Sequence, residues 1–172
     1  MADEAETLYE GQHLRLKRRR GWEYAEHRAA NEAVLVVALT GDDRVVLVEE
    51  FRPAVNAVVV SPPAGLVGDE GPEAPAEAAE RELAEETGYE AESFEFLGHG
   101  PGSAGQSAER VLFYLARGAR KTREQAPHDR GAIRVHTVPL AELSRFARER
   151  EAAGALVDPK VWAGLYLAGI RR

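Results

Sequence analysis

The chain has 172 residues, 44% of them hydrophobic and 30% charged, which suits a single folded domain and is too apolar for disorder. With 22 basic and 29 acidic residues the formal charge is −7, which argues against the broad basic face of a sequence-independent nucleic-acid binder. It leaves room for a phosphate-bearing small molecule held through bound cations. Zero cysteines exclude disulfides, a thiol nucleophile and a thiolate zinc site.

No stretch approaches the ~20 apolar residues of a membrane helix. The acidic start Met1-Ala2-Asp3-Glu4-Ala5-Glu6 lacks the layout of a signal peptide, so a cytoplasmic location is expected. The expected organisation is one domain over 1–172, with a hairpin within residues 1–30 and a core over 31–172.

In chain order, Leu14-Arg15-Leu16 and Trp22-Glu23-Tyr24 alternate around Gly21 and read as that hairpin. The basic run Lys17-Arg18-Arg19-Arg20 reads as a solvated strand edge. Ala33 to Leu39 is a continuous apolar run, expected as a strand buried on both faces, and Val45 to Val48 follows after turn residues. Val55 to Val60 is another β-branched run, stopped by Pro62-Pro63, and a Gly-rich acidic loop is expected from Gly65 to Gly71. A helix is predicted from Pro75 to Thr87, with Pro in its first turn and Gly88 as the left-handed cap. Strands are expected at 94–97, 111–116 and 133–138, then helices at 141–152 and 159–167. The pattern predicts an α/β fold, a mixed sheet sandwiched between helices.

The helix ending at Gly88 carries the chemistry. Glu82 and Glu86 are four residues apart and project from one face, with Glu85 one step round. Like charges at this spacing cost roughly 0.2–0.5 kcal/mol per pair, and acids near a helix C-terminus oppose the macrodipole. Two explanations compete at this level. One is a solvated acidic face, with Arg81 pairing Glu85 and Glu77. The other is a hard-cation site, in which carboxylate oxygens hold Mg2+ or Mn2+.

Glu73, seven residues, and then Arg81-Glu82-Leu83-Ala84-Glu85-Glu86-Thr87-Gly88-Tyr89 resembles the Nudix box, the signature of the Nudix hydrolases. The front of the box departs from the pattern: Val67 stands where its Gly belongs, and Pro63-Ala64-Gly65-Leu66 resembles the segment that normally carries it, which implies two extra loop residues. Val48-Glu49-Glu50-Phe51-Arg52-Pro53 and Gly100-Pro101-Gly102-Ser103 resemble the ADP-ribose and nucleoside diphosphate sugar pyrophosphatase branch, as do Ile133-Arg134-Val135-His136 and Leu156-Val157-Asp158-Pro159-Lys160.

The resemblance implies a Nudix-type α/β/α sandwich and a Mg2+-dependent pyrophosphatase, with Mn2+ as the other candidate ion. Its substrate would be ADP-ribose or a related nucleotide sugar, with no nucleic acid or membrane as partner. Carried over by residue, it makes Glu82, Glu85, Glu86 and the Ala64 carbonyl the metal ligands. Glu73, Arg81 and Gly88 become structural parts of the box, and Arg52 and Glu109 bind substrate. For the base that activates water it offers Asp129, with Glu85 and His128 as alternatives; Glu85 and Glu86 stand with Asp129 as the catalytic set. The hairpin resembles the element through which this branch forms homodimers. Trp22, Tyr24, Phe51, Phe113 and Tyr114 are candidates for stacking on a base or for packing. Two other functions stay open: a nucleoside triphosphate or RNA 5′-end pyrophosphohydrolase, and a silent nucleotide-binding module.

Overall fold

A computed structural model describes residues 4–68, 71–126 and 132–170. The N-terminal segment forms three antiparallel strands, β1 (Glu6–Glu10), β2 (Leu14–Arg19) and β3 (Trp22–His27), in the order β1-β2-β3. The expected hairpin is present as β2–β3, turned at Arg20 (φ 53°) and Gly21 (φ 79°). The extra strand β1 corrects the reading of the basic run as an edge. β2 is the middle strand, and its cations meet cross-strand carboxylates, Arg18 on Glu6 at 2.7 Å and Lys17 on Glu26 at 3.2 Å.

The larger sheet has nine strands among the described residues. They are β4 (Glu32–Thr40), β5 (Arg44–Arg52), β6 (Ala57–Ser61), β7 (Ala64–Leu66), β8 (Tyr89–Glu90), β9 (Ser93–Pro101), β10 (Arg110–Lys121), β11 (Arg134–Pro139) and β12 (Leu156–Val157). Its main path runs β12-β6-β5-β4-β10-β8, with β11 on β5, β7 on β4 and β9 on β10. The β4–β10 and β6–β12 pairs are parallel and the others antiparallel, so the sheet is mixed as expected. Among the described residues three helices, α1 (Pro75–Thr87), α2 (Leu143–Ala152) and α3 (Lys160–Leu167), flank the sheet, α2 being preceded by a 3-10 turn at Leu140–Glu142.

Strand periodicity divides the core. On β4 the even residues Val34, Val36 and Ala38 pack with Ala78, Ala79 and Leu83 of α1. The odd residues Leu35 and Val37 pack with Leu143, Val161 and Leu165 of α2 and α3. The apolar run therefore buries both faces, as its continuity predicts. On β5 the same alternation sends Val46 to the α1 side and Val45 and Leu47 to the other, so Glu50 and Glu49 face opposite layers. Glu49, only 7% exposed, is tied there. It meets His136 Nε2 at 3.0 Å, Arg150 Nη2 at 3.0 Å and Arg150 Nε at 2.9 Å, joining β5, β11 and α2. Among the described residues no helix is long and apolar enough to cross a membrane.

Candidate active site

The helix α1 occupies the predicted span. Pro75 stands in its first turn, the Glu77 carboxylate accepts the Ala74 N–H at 2.8 Å, and Gly88 closes the helix at φ 74° with its N–H on the Ala84 carbonyl at 2.9 Å. A Cβ on Gly88 would also overlap the Arg123 carbonyl oxygen. That close approach lets Thr122 and Arg123 donate to the Gly88 carbonyl at 3.0 and 3.3 Å, while Ala126 N–H reaches the Glu85 carbonyl at 2.8 Å. The segment after β10 is thereby tied to the carboxylate end of α1.

Arg81 holds the box together. Its Nε and Nη2 meet both oxygens of Glu73 at 3.1 and 2.8 Å, and Nη1 reaches Glu82 at 2.8 Å and Glu85 at 3.1 Å. Nη2 also donates to the Leu66 carbonyl at 3.2 Å, and Glu73 accepts the Gly68 N–H at 2.8 Å. The guanidinium beside it holds the Glu73 carboxyl below its usual range, and Glu73 in turn raises the Arg81 pKa. Loop and helix are locked by charge-assisted bonds, with the two-pronged pairing that arginine favours.

Gly65 and Leu66, expected as the start of a loop, belong instead with Ala64 to strand β7, paired with β4 through Leu35↔Ala64 and Val34↔Gly65. The pairing lays this backbone against α1. Ala64 N–H donates to Glu86 Oε2 at 3.0 Å, and a Cβ on Gly65 would overlap the Glu82 carboxylate. Gly65 is thus the glycine the box requires, and the additional residues fall after it.

Glu82 and Glu86 are 8% and 7% exposed, and Glu50, 9% exposed, joins them at the same cleft. Burial pushes the Glu86 carboxyl up to about 8; the charges of Glu82 and Glu50 add to this, and Ala64 N–H and Arg52 oppose it. Glu50 Oε1 lies 2.6 Å from Arg52 Nη2, but the angle is poor for a directed hydrogen bond. Glu50 and Arg52, two apart on β5, share a face; that period-two spacing is the signal by which Glu50 was legible, although sequence reasoning gave it no role.

The cleft has a volume of about 950 Å³, within the range of small-molecule sites. It gathers Arg52, Ala64, Arg81, Glu82, Glu85, Glu86 and Glu109. Glu109 is aimed by its loop: its N–H donates to Ser107 Oγ at 3.0 Å, and a Cβ on Gly102 would come within 2.6 Å of Glu109 Oε1. His27, Ala126, Asp158 and Lys160 also line it, and sequence reasoning assigned them no part. Asp129 and His128 lie outside the described residues.

None of the five candidate aromatics lines the cleft. Phe113 and Tyr114 are buried in the two halves of the core, and Trp22 is exposed with its Nε1 on the Gly105 carbonyl at 2.8 Å. Among the described residues, no group of three or more His, Asp or Glu side chains is placed to hold a metal ion by itself. The donor set still suits a hard cation. Mg2+ is bound typically by one or two carboxylates, retained waters and substrate phosphates, and here acidic oxygens are buried together at the wall of a cleft.

A mixed sheet between α1 and the α2–α3 pair, with a glutamate-bearing helix clamped to a short strand, defines a Nudix-type fold. Comparison with known proteins agrees: the NUDIX domain model matches residues 30–158. The chain belongs to the Nudix family, as the box resemblance implied. It is 39% identical over 119 residues to the methanol dehydrogenase activator of Bacillus methanolicus, covering 69% of this chain and 63% of that protein. It is 32% identical over 134 residues to an ADP-ribose pyrophosphatase of Mycobacterium tuberculosis, covering 77% and 62%. The chain therefore spans just under two thirds of these curated relatives. The crystal structure of an ADP compounds hydrolase superposes with a TM-score of 0.73 at 22% identity, covering 96% of this chain and 89% of that one, which shows the shared fold.

Proposed function

We propose that this protein is a Mg2+-dependent pyrophosphatase that hydrolyses the diphosphate linkage of ADP-ribose or a related nucleoside diphosphate sugar. The observation that carries the reading is the burial of Glu82 and Glu86 against β7 beside Glu50, with Arg52 at the same cleft. The 32% identity to an ADP-ribose pyrophosphatase supports the substrate class.

Glu82, Glu86, Glu85 and the Ala64 carbonyl would hold the ion, and Mn2+ would serve in place of Mg2+. When bound, such an ion neutralises phosphate oxygens and lowers the pKa of a bound water. Arg52 binds the diphosphate by charge-assisted hydrogen bonds, and Glu109 accepts hydroxyl hydrogens of the substrate. Asp129 or Glu85 takes a proton from the attacking water. The new bond joins water oxygen to phosphorus as the bridging P–O bond breaks, leaving a nucleoside monophosphate and a sugar phosphate. Glu73, Arg81 and Gly88 keep the box in shape and touch no reacting atom.

The protein acts in the cytoplasm as a homodimer formed through the N-terminal strands. Tyr9, Leu14, Leu16 and Trp22 are exposed there, and light scattering at twice the chain mass tests the assembly. A panel of nucleotide sugars, dinucleotides and nucleoside triphosphates, with and without Mg2+, tests the activity. ADP-ribose or a related sugar nucleotide should turn over fastest, and only with the ion. Fastest turnover of a triphosphate would reject the substrate class, and unchanged turnover in Asp129→Asn would remove that residue from the mechanism and leave Glu85 or His128 as the base.

A further inference from the structure

The cleft holds a cation that the reading above does not use. Lys160 opens α3 and lines the cleft with Arg52, Ser61 and Ala64. Its position is built by the fold. β12 pairs with β6 through Val157↔Val60, and the Asp158 N–H donates to the Val60 carbonyl at 2.9 Å. Asp158 Oδ1 accepts the Lys160 N–H at 2.8 Å, and Oδ2 lies 2.6 Å from the Lys160 ammonium. The acid is the more enclosed partner, its side chain 18% exposed against 38% for the lysine.

Charge gives this placement its meaning. Among the Lys and Arg side chains that line the cleft, Arg81 is engaged by three glutamates, Glu73, Glu82 and Glu85, whereas Arg52 and Lys160 each meet a single carboxylate at 2.6 Å, Glu50 and Asp158. Around them stand Glu50, Glu82, Glu85, Glu86, Glu109 and Asp158. An anionic diphosphate entering so acidic a pocket is drawn to each cation in it. An ammonium carries three donors, of which Asp158 takes one, so Lys160 can keep its orienting partner and still bind an anion.

We propose that Lys160 is a substrate-binding residue whose ammonium takes a phosphate oxygen of a nucleoside diphosphate group, with Asp158 as its positioning residue. This rests on the proposed function for the identity of the substrate. The test titrates α,β-methylene-ADP with Mg2+ into wild type, Lys160→Met and Lys160→Arg, and measures steady-state kinetics on ADP-ribose. In Lys160→Met the analogue affinity should fall and KM should rise by about 10-fold or more, the weight of a hydrogen bond to a charged group. The kcat should stay within about threefold, the signature of lost ground-state binding, and Lys160→Arg should recover most of the affinity. Unchanged affinity and KM in Lys160→Met overturn the proposal, as does a loss confined to kcat. If Lys160→Met does not fold, Lys160→Gln carries the same comparison. A wild type that cleaves no nucleoside diphosphate sugar rejects the proposed function, and the analogue titration then decides Lys160 by itself.

Discussion

Glu49 and Glu50 are neighbours on β5, buried to nearly the same degree, and they meet opposite electrostatic fates. Glu49 faces the α2 layer, where Arg150 and His136 close on both its oxygens. Glu50 faces the α1 layer, where it has Arg52 at 2.6 Å and where Glu82 and Glu86 are also buried; burial, with the neighbouring negative charge added, pushes the Glu86 carboxyl up to about 8. A buried carboxylate costs several kcal/mol of desolvation unless it is matched. Where cations of the chain match it, the result is a structural pin. Where acids accumulate beside a cleft, their crowding favours a divalent cation of the kind the proposed function requires.

Removing one acid from each side sharpens the contrast. Glu86→Gln should lower turnover by about a hundredfold or more, because it deletes a ligand charge, while thermal unfolding is unchanged or shifts upward. Assays with saturating Mg2+ and parallel melting curves check both halves. Glu49→Gln should do the reverse. It strands Arg150 and His136 and should cost about 3–5 kcal/mol by denaturant unfolding, with turnover per folded molecule close to wild type. Matching stability losses in the two variants would break the comparison.

A smaller effect concerns pH without metal. The Glu86 pKa is raised on folding from 4.5 to about 8, so the folded state binds the proton more tightly. That contribution to stability is complete below pH 4.5 and is lost as pH rises to about 8. Melting curves of metal-free protein across this window should fall more steeply with pH for wild type than for Glu86→Gln. Equal slopes would place the Glu86 proton elsewhere in the energetics.

Much of this was legible in the residues, and what was missed has physical causes. The bounds of α1 follow from Pro75 and Gly88, and the core strands follow from continuous apolar runs that bury both faces. The box glutamates were legible because helix spacing alone puts Glu82 and Glu86 on one side. β7 is not legible as a strand because three residues containing a glycine have no periodicity to show, and only its pairing with β4 reveals it. β1 was missed for a related reason: Thr-Leu-Tyr between acids alternates too briefly. Lys160 is brought to the cleft by the β6–β12 pairing, a contact across about a hundred residues that no local pattern encodes.

On the proposed function, the acidic wall formed by Glu82 and Glu86 is a divalent-cation site. Calorimetric titration of Mn2+ into the metal-free protein at neutral pH, repeated in two buffers of different ionisation enthalpy, tests it most directly. Wild type should bind the ion and release a proton as Glu86 ionises, and Glu86→Gln should lose both the release and most of the affinity. Binding of equal strength in the two proteins, or no binding by wild type, would show that these glutamates do not form a cation site.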